Sequence, residues 1–245
     1  MAAQSLIFEN AQAASDACAG KILELLEAAL KTQPHATLAV SGGSTPKLMF
    51  AEMAKAKFDW GKVHLFWVDE RVVPPTDSQS NYKLTNDHFL AAVHFPAANV
   101  HRVQGELPAA EAAKRYDEDI RAFFQLAPGG VPQFDIVHRG MGPDAHTASL
   151  FPGEPLIDNH KDRVGAAYVE KFHQWRVTLL PAVLEAAKHT LILAAGDDKA
   201  EPLHEVLHAP YEPKKYPSQI ATYDSQPGAD RAIWFLDKAA ARLMG

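Results

Sequence analysis

Ala36-Thr37-Leu38-Ala39-Val40-Ser41-Gly42-Gly43-Ser44-Thr45-Pro46 is the stretch on which the reading of the fold turns. Its first five residues carry no charge and read as a buried strand, which Gly42-Gly43 end. Ser44 or Thr45 is suited to cap a following helix, and Pro46 to its first turn. A strand that passes through a glycine turn into a helix is the opening half of a β-α-β unit.

The same alternation continues in both directions. Residues 63–68, 134–138 and 190–194 read as further strands, and 176–179 and 233–236 as shorter ones. Helical stretches lie between them at Ala11–Leu30, 47–57, 109–126 and 181–187. In the first, Ile22, Leu23, Leu25, Leu26 and Leu30 recur near helical spacing. Strands separated by helices predict an α/β fold: three layers, with a mostly parallel Rossmann-like sheet flanked by helices. Prolines and glycines cluster at Pro74-Pro75, Pro128-Gly129-Gly130 and Pro152-Gly153, and 209–216 reads as a surface loop. No long linker or internal repeat interrupts the pattern, so one domain is expected over 1–245.

Composition narrows the function classes. The chain has 245 residues, 47% apolar and 22% charged, which is ordinary globular usage and enough to bury a large core. Its 24 basic and 30 acidic residues give a net charge of -6, without the basic excess or stripe of a nucleic-acid binder. The single cysteine, Cys18, excludes an internal disulfide framework and any multi-cysteine metal site. Apolar runs are far too short for a membrane span, and no clean signal-peptide core opens the chain. These features predict a cytoplasmic protein that engages neither membrane nor nucleic acid.

In an open parallel sheet, ligands bind beyond the carboxyl ends of the strands, so the segments just after each strand carry the chemistry. The Ser41–Pro46 turn lets backbone N–H groups approach an anion at a helix start. Val68-Asp69-Glu70-Arg71-Val72-Val73-Pro74, followed by Ser80-Asn81-Tyr82, offers Arg71 as a two-pronged grip for phosphate or carboxylate. Asp69 or Glu70 would orient that grip or meet substrate hydroxyls. Gly140-Met141-Gly142-Pro143-Asp144-Ala145-His146-Thr147-Ala148-Ser149-Leu150-Phe151-Pro152 is the most informative run. Here His146, expected at a helix start, suits proton transfer at neutral pH. Asp144 would either cap that helix or hold the imidazole in one tautomer.

Together these three segments resemble the signatures of the 6-phosphogluconolactonases, and Arg176-Val177-Thr178-Leu179 and Gly196-Asp197-Asp198-Lys199-Ala200 resemble two later family segments. The likeness runs over roughly residues 36 to 207. It implies hydrolysis of 6-phospho-D-glucono-1,5-lactone to 6-phospho-D-gluconate in the oxidative pentose phosphate pathway. It also implies a site without metal or cofactor, and a fold shared with the glucosamine-6-phosphate deaminases. On the motif match His146 takes the catalytic-base position, with Asp144 beside it. Arg71 and Lys199 take the phosphate-binding positions, with Gly42, Gly43 and Ser44 alongside, and Asp69 and Arg176 complete the substrate-binding set. The expected partner is a small phosphorylated sugar lactone, bound by a monomer or weak homo-oligomer.

The chain departs from the family at Ala145, where glycine is usual, at Arg139 and His138, where apolar residues are usual, and at Lys171-Phe172-His173-Gln174-Trp175 in place of a proline-rich loop. If position 145 needs a positive φ, alanine there carries strain of about 1 kcal/mol or more.

The chemistry can also be reasoned without the family. A lactone is an activated ester, and no Gly-x-Ser-x-Gly nucleophile elbow occurs, so direct attack by water is the simpler route. His146 would take the proton from that water and return one to the departing ring oxygen. Three other readings stand beside this one. His204-Glu205-Val206-Leu207-His208 matches a zinc-protease pattern, although Pro210 and Pro213 soon end that helix. A sugar-phosphate isomerase or deaminase on the same fold would use a carboxylate such as Asp69 as its base. A sugar-phosphate sensor would bind its ligand without turnover.

Overall fold

The computed structural model describes residues 3–224 and 226–244. The domain expected over 1–245 also takes in Met1, Ala2, Ser225 and Gly245, which lie outside the described residues.

In chain order the strands are β1 (Gln4–Phe8), β2 (Ala36–Val40), β3 (Val63–Trp67), β4 (Asp69–Arg71), β5 (Val100–His101), β6 (Ile136–Arg139), β7 (Val164–Val169), β8 (Gln174–Leu179), β9 (His189–Ala194) and β10 (Ala232–Asp237). The helices are α1 (Ala11–Leu30), α2 (Ser44–Met53), α3 (Asn81–Thr85), α4 (Ala109–Phe123), α5 (Pro181–Ala186) and α6 (Ala200–His208). Among the described residues, seven strands form one sheet in the order β1-β10-β9-β6-β2-β3-β5. Every pairing in it is parallel.

Alternation along the strands sorts the core into two layers. Leu38, Val40, Leu65 and Trp67 face α1 and α2 through Ile22, Leu26, Met49 and Phe50. Their neighbours Ala39, Phe66 and Val137 face the opposite way, onto Tyr116 and Ile120 of α4 and Val183 and Leu184 of α5. Further along the same face, Ile192 and Trp234 pack on Leu203 and Val206 of α6. Strands covered on both faces need apolar side chains in both directions, which is why β2 is buried at all five positions. The predicted three-layer α/β architecture is therefore present.

A second, antiparallel sheet of order β4-β8-β7 was not anticipated. Asp69-Glu70-Arg71 was expected as a segment leaving the second strand; it is instead the strand β4, with Asp69 opposite Thr178 and Arg71 opposite Arg176. Three charged residues carry no apolar alternation, so only the pairing with β8 defines this strand. Short strands β1 and β5 were missed as well, being edge strands with half-exposed faces.

β2 and β6 are neighbours, but the chain runs from β2 to β3 on one side and from β6 toward β9 on the other. Such a divergence leaves a crevice at the carboxyl ends of the two strands.

Candidate active site

The first wall of this crevice is the turn after β2. Ser41 donates its backbone N–H to the His138 carbonyl at 3.1 Å, which ties the turn to β6. Gly42 is required by contact: a Cβ there would stand 2.0 Å from Asn81 Oδ1. Gly43, at φ 125°, is the cap of α2, and no side chain bonds to the start of that helix. The expected cap by Ser44 or Thr45 is thus absent, because Ser44 already lies inside the helix. Without a capping side chain, the first-turn N–H groups keep their capacity for an anion.

β4 supplies the second wall. Asp69 accepts a hydrogen bond from Ser149 Oγ at 2.8 Å and lies 3.8 Å from Arg176 Nη1. Both members of that ion pair are buried. Burial pushes the Arg176 guanidinium below its ordinary range; Asp69 opposes this and Arg71 adds to it. Glu70 serves a different purpose. Its carboxylate accepts from the backbone N–H groups of Arg71, Asn81 and Tyr82 and from Ser80 Oγ, at 2.7–3.0 Å. Burial raises its pKa, and those N–H donors offset part of the rise. Glu70 therefore fixes the start of α3, and Asp69 alone of the two lines the cavity. Arg71 Nη1 donates to the Gln79 carbonyl at 2.5 Å, which orients the guanidinium. Lys199 is held by Asp198 at 2.6 Å.

The third wall is the turn after β6. Residues 143–150 form bends, turns and an isolated bridge between Thr147 and Leu150, so the helix expected to begin near His146 is not there. Two alanines with left-handed backbone, Ala145 at φ 62° and Ala148 at φ 52°, prevent it. Position 145 does take a positive φ, the condition under which alanine there carries strain of about 1 kcal/mol or more. Other bonds compensate. Gly142 donates to the His146 carbonyl at 2.8 Å, and Ala145 to the Gly142 carbonyl at 3.0 Å. Ser218 binds the same turn through its N–H to the Ala145 carbonyl and its Oγ to the His146 carbonyl.

His146 Nδ1 lies 2.5 Å from Asp144 Oδ1. Of the two roles open to Asp144, the structure selects the second: its carboxylate meets the imidazole and caps no helix. Burial alone would raise the Asp144 pKa. The bond and charge of His146, with Lys171, outweigh burial and hold the carboxyl well below its usual range. The other face of the His146 ring stacks on Phe151, with centroids 4.2 Å apart.

Gly42, Gly43, Ser44, Asp69, Arg71, His146, Arg176 and Lys199 all line one cavity of about 240 Å³. Asp144 stands behind His146 and off the cavity wall. Sequence reasoning passed over several supports. Asn81 lines the cavity and donates its side-chain N–H to the Asp69 carbonyl at 2.9 Å; the Ser80-Asn81-Tyr82 run had pointed to it. Arg139 is fully buried beneath the turn, where it donates to Thr147 Oγ1 at 3.3 Å and to the Ile220 carbonyl. Burial pushes its pKa down to about 9. His138 is also fully buried, neither ring nitrogen has a hydrogen-bond partner, and burial pushes it down to about 3.

The His204-Glu205-Val206-Leu207-His208 run does lie on a helix, α6. Glu205 accepts a bond from the Tyr216 hydroxyl at 2.7 Å, and His204 Nδ1 meets the Leu243 carbonyl at 3.2 Å. Among the described residues, no three His, Cys, Asp or Glu side chains are grouped to hold a metal ion. No described helix is long and apolar enough to cross a membrane.

A model of the family described as glucosamine-6-phosphate isomerases/6-phosphogluconolactonase matches residues 9–234. The chain is 39% identical to a 6-phosphogluconolactonase of Haemophilus influenzae, over 84% of this chain and 87% of that one. It superposes on the structure of 6-phosphogluconolactonase from Trypanosoma brucei with a TM-score of 0.87 at 26% identity, covering 99% of both chains. A monomeric glucosamine-6-phosphate deaminase shares the fold, with a TM-score of 0.82 at 16% identity over 98% of this chain and 99% of that one.

Proposed function

The chain belongs to the glucosamine-6-phosphate isomerase/6-phosphogluconolactonase family, and from that premise we propose how its cavity carries out the reaction. The activity is that of a 6-phosphogluconolactonase: hydrolysis of 6-phospho-D-glucono-1,5-lactone to 6-phospho-D-gluconate. His146 is the general base. The observation that carries this reading is His146, paired with Asp144 behind it, on the wall of the cavity that Arg71 and Lys199 also line.

With Asp144 accepting from Nδ1–H, the unprotonated nitrogen is Nε2. Nε2 takes a proton from a water whose oxygen attacks the C1 carbonyl. The tetrahedral adduct then collapses, the bond from C1 to the ring oxygen breaks, and the imidazolium returns its proton to that oxygen. The ring opens to a carboxylic acid, which ionises. Positioned base catalysis of this kind supplies about 10²–10⁴-fold. Arg71 and Lys199, with the N–H groups at the start of α2, hold the phosphate. Binding energy remote from the reacting bond thereby orients the carbonyl.

Proton abstraction by Asp69, the chemistry of an isomerase or deaminase, is disfavoured by its engagement with Ser149 and Arg176. Release of ammonia from glucosamine 6-phosphate tests that alternative directly.

We take residues 1–245 as one catalytic domain, because the cavity draws on positions from 41 to 199. We also place the reaction in the cytoplasm, on the strength of a single cysteine that is free and buried.

The test is turnover of freshly generated 6-phosphogluconolactone, corrected for spontaneous opening. His146→Ala is expected to lower kcat by at least about 10²-fold with far-UV circular dichroism unchanged. Near-normal turnover by that variant would remove His146 from the reaction.

A further inference from the structure

We infer that Lys171 is a positioning residue for the base: its ammonium on Asp144 Oδ2 keeps Oδ1 turned toward His146. The inference rests on the lactonase reading above.

Lys171 Nζ lies 3.3 Å from Asp144 Oδ2, while Asp144 Oδ1 lies 2.5 Å from His146 Nδ1. The carboxylate is thus held at both oxygens, by partners 27 and 2 residues away. A carboxylate bonded at one oxygen can swing about its terminal torsion; one bonded at both is fixed in plane and direction.

Lys171 belongs to the turn between β7 and β8, and that turn is itself anchored. His173 sits in the left-handed region at φ 47° and reverses the chain. Phe172 packs edge-on against Phe151, the ring beneath His146, at 5.9 Å. The Arg176 guanidinium lies 5.1 Å from the Phe172 ring. At the far side, Trp175 accepts from the Val72 N–H at 2.9 Å, and Gln174 Nε2 donates to Gln79 Oε1 at 2.9 Å. Gln79 is the residue whose carbonyl orients Arg71. One hairpin tip therefore braces both the base and the anion grip.

The pair has an electrostatic consequence. Lys171 sets a positive charge behind the carboxylate that meets the imidazole, and a charge of the same sign on the ring would be repelled by it. Other charges face the pair too. Glu154 and Glu170 line the outer cleft that Asp144 also lines. Asp69, Arg71, Arg176 and Lys199 line the cavity on the inner side. Removing Lys171 leaves those two carboxylates uncompensated, so the imidazolium gains stability and the acid limb of the rate profile moves upward. Lys171 is more than half exposed, so water and salt screen the effect to a fraction of a pH unit.

The experiment is the pH dependence of kcat/KM for the phosphorylated lactone in wild type, Lys171→Met, Lys171→Arg and Lys171→Glu, at low salt and at 0.5 M NaCl. Lys171→Met is expected to raise the apparent pKa of the acid limb by about 0.3–0.8 units and to lower kcat about 2–10-fold, with KM little changed. Lys171→Glu should shift it further in the same direction, Lys171→Arg should restore the wild-type profile, and salt should collapse the differences. A merely structural role would leave the acid limb in place. Profiles for Lys171→Met and Lys171→Glu that superimpose on a wild type which is itself inactivated by His146→Ala would overturn this inference alone. A wild type that does not hydrolyse the lactone would overturn the reading beneath it as well.

Discussion

The imidazole of His146 lies directly over Gly142, so that a Cβ at position 142 would stand 2.0 Å from Nδ1 and 2.1 Å from Cε1. The ring is confined on every side but the cavity. Asp144 holds its Nδ1 edge, Phe151 covers one face, and the Gly142 N–H binds the carbonyl of the same residue. The glycine is demanded by contact with the base and not by backbone conformation, since its φ is not positive.

Gly142→Ala is therefore expected to cost nearly as much activity as loss of the imidazole, at least about 10²-fold in kcat. The backbone angles are open to alanine, so the fold should survive. Steady-state kinetics beside a thermal melt decide the matter; a well-folded variant with wild-type kcat would show that the ring position is not what the reaction depends on.

Arg71 lines the cavity and is oriented by the Gln79 carbonyl. Arg71→Ala is expected to raise KM for the phosphorylated lactone by about tenfold or more, with kcat/KM for unphosphorylated gluconolactone changed less than about twofold. Parallel assays on the two lactones give the comparison. Equal losses on both would assign Arg71 to the reacting end of the substrate.

His138 links stability to pH. Buried without a partner, its imidazole is pushed down to about 3, whereas in the unfolded chain it titrates near 6.5. Between those values the unfolded state binds the extra proton, so stability is complete above about 6.5 and declines as the pH falls. By pH 5 the loss from this residue is on the order of 2 kcal/mol. His64, pushed down to about 4 by burial and by His101 and His35, acts in the same direction. Glu70, raised by burial, acts in the opposite sense, but it is common to wild type and variant. His138→Leu should therefore flatten the decline between pH 7.5 and 5, as read from urea midpoints. A variant whose midpoints fall in parallel with wild type would clear His138 of the effect.

Legibility varied with the kind of interaction. Strands such as Ala36–Val40 could be read because both their faces are apolar, and that pattern is local. Each of the three segments held to carry chemistry did contribute to one cavity. Errors arose where a distant partner decides the conformation. Asp69-Glu70-Arg71 becomes a strand only through β8, more than 100 residues later. The helix expected at His146 gives way to a turn with two left-handed alanines, sustained by Ser218 from a remote segment. Lys171 stood out only as part of the Lys171–Trp175 departure from the family, and nothing local assigned it a role, since a lysine in a turn ordinarily faces solvent.

The sequence by itself determined the α/β class, the strand ends where the chemistry gathers, and the residue types able to hold a phosphate and move a proton. Periodicity and composition are local properties, and they survive without the fold. Only the tertiary structure decided which of Asp69 and Glu70 reaches the cavity, that Asp144 meets the imidazole, and that a hairpin tip stands behind it. Those outcomes depend on which side chains from distant segments arrive within about 3 Å of one another, and only closure of the chain around its core brings them together.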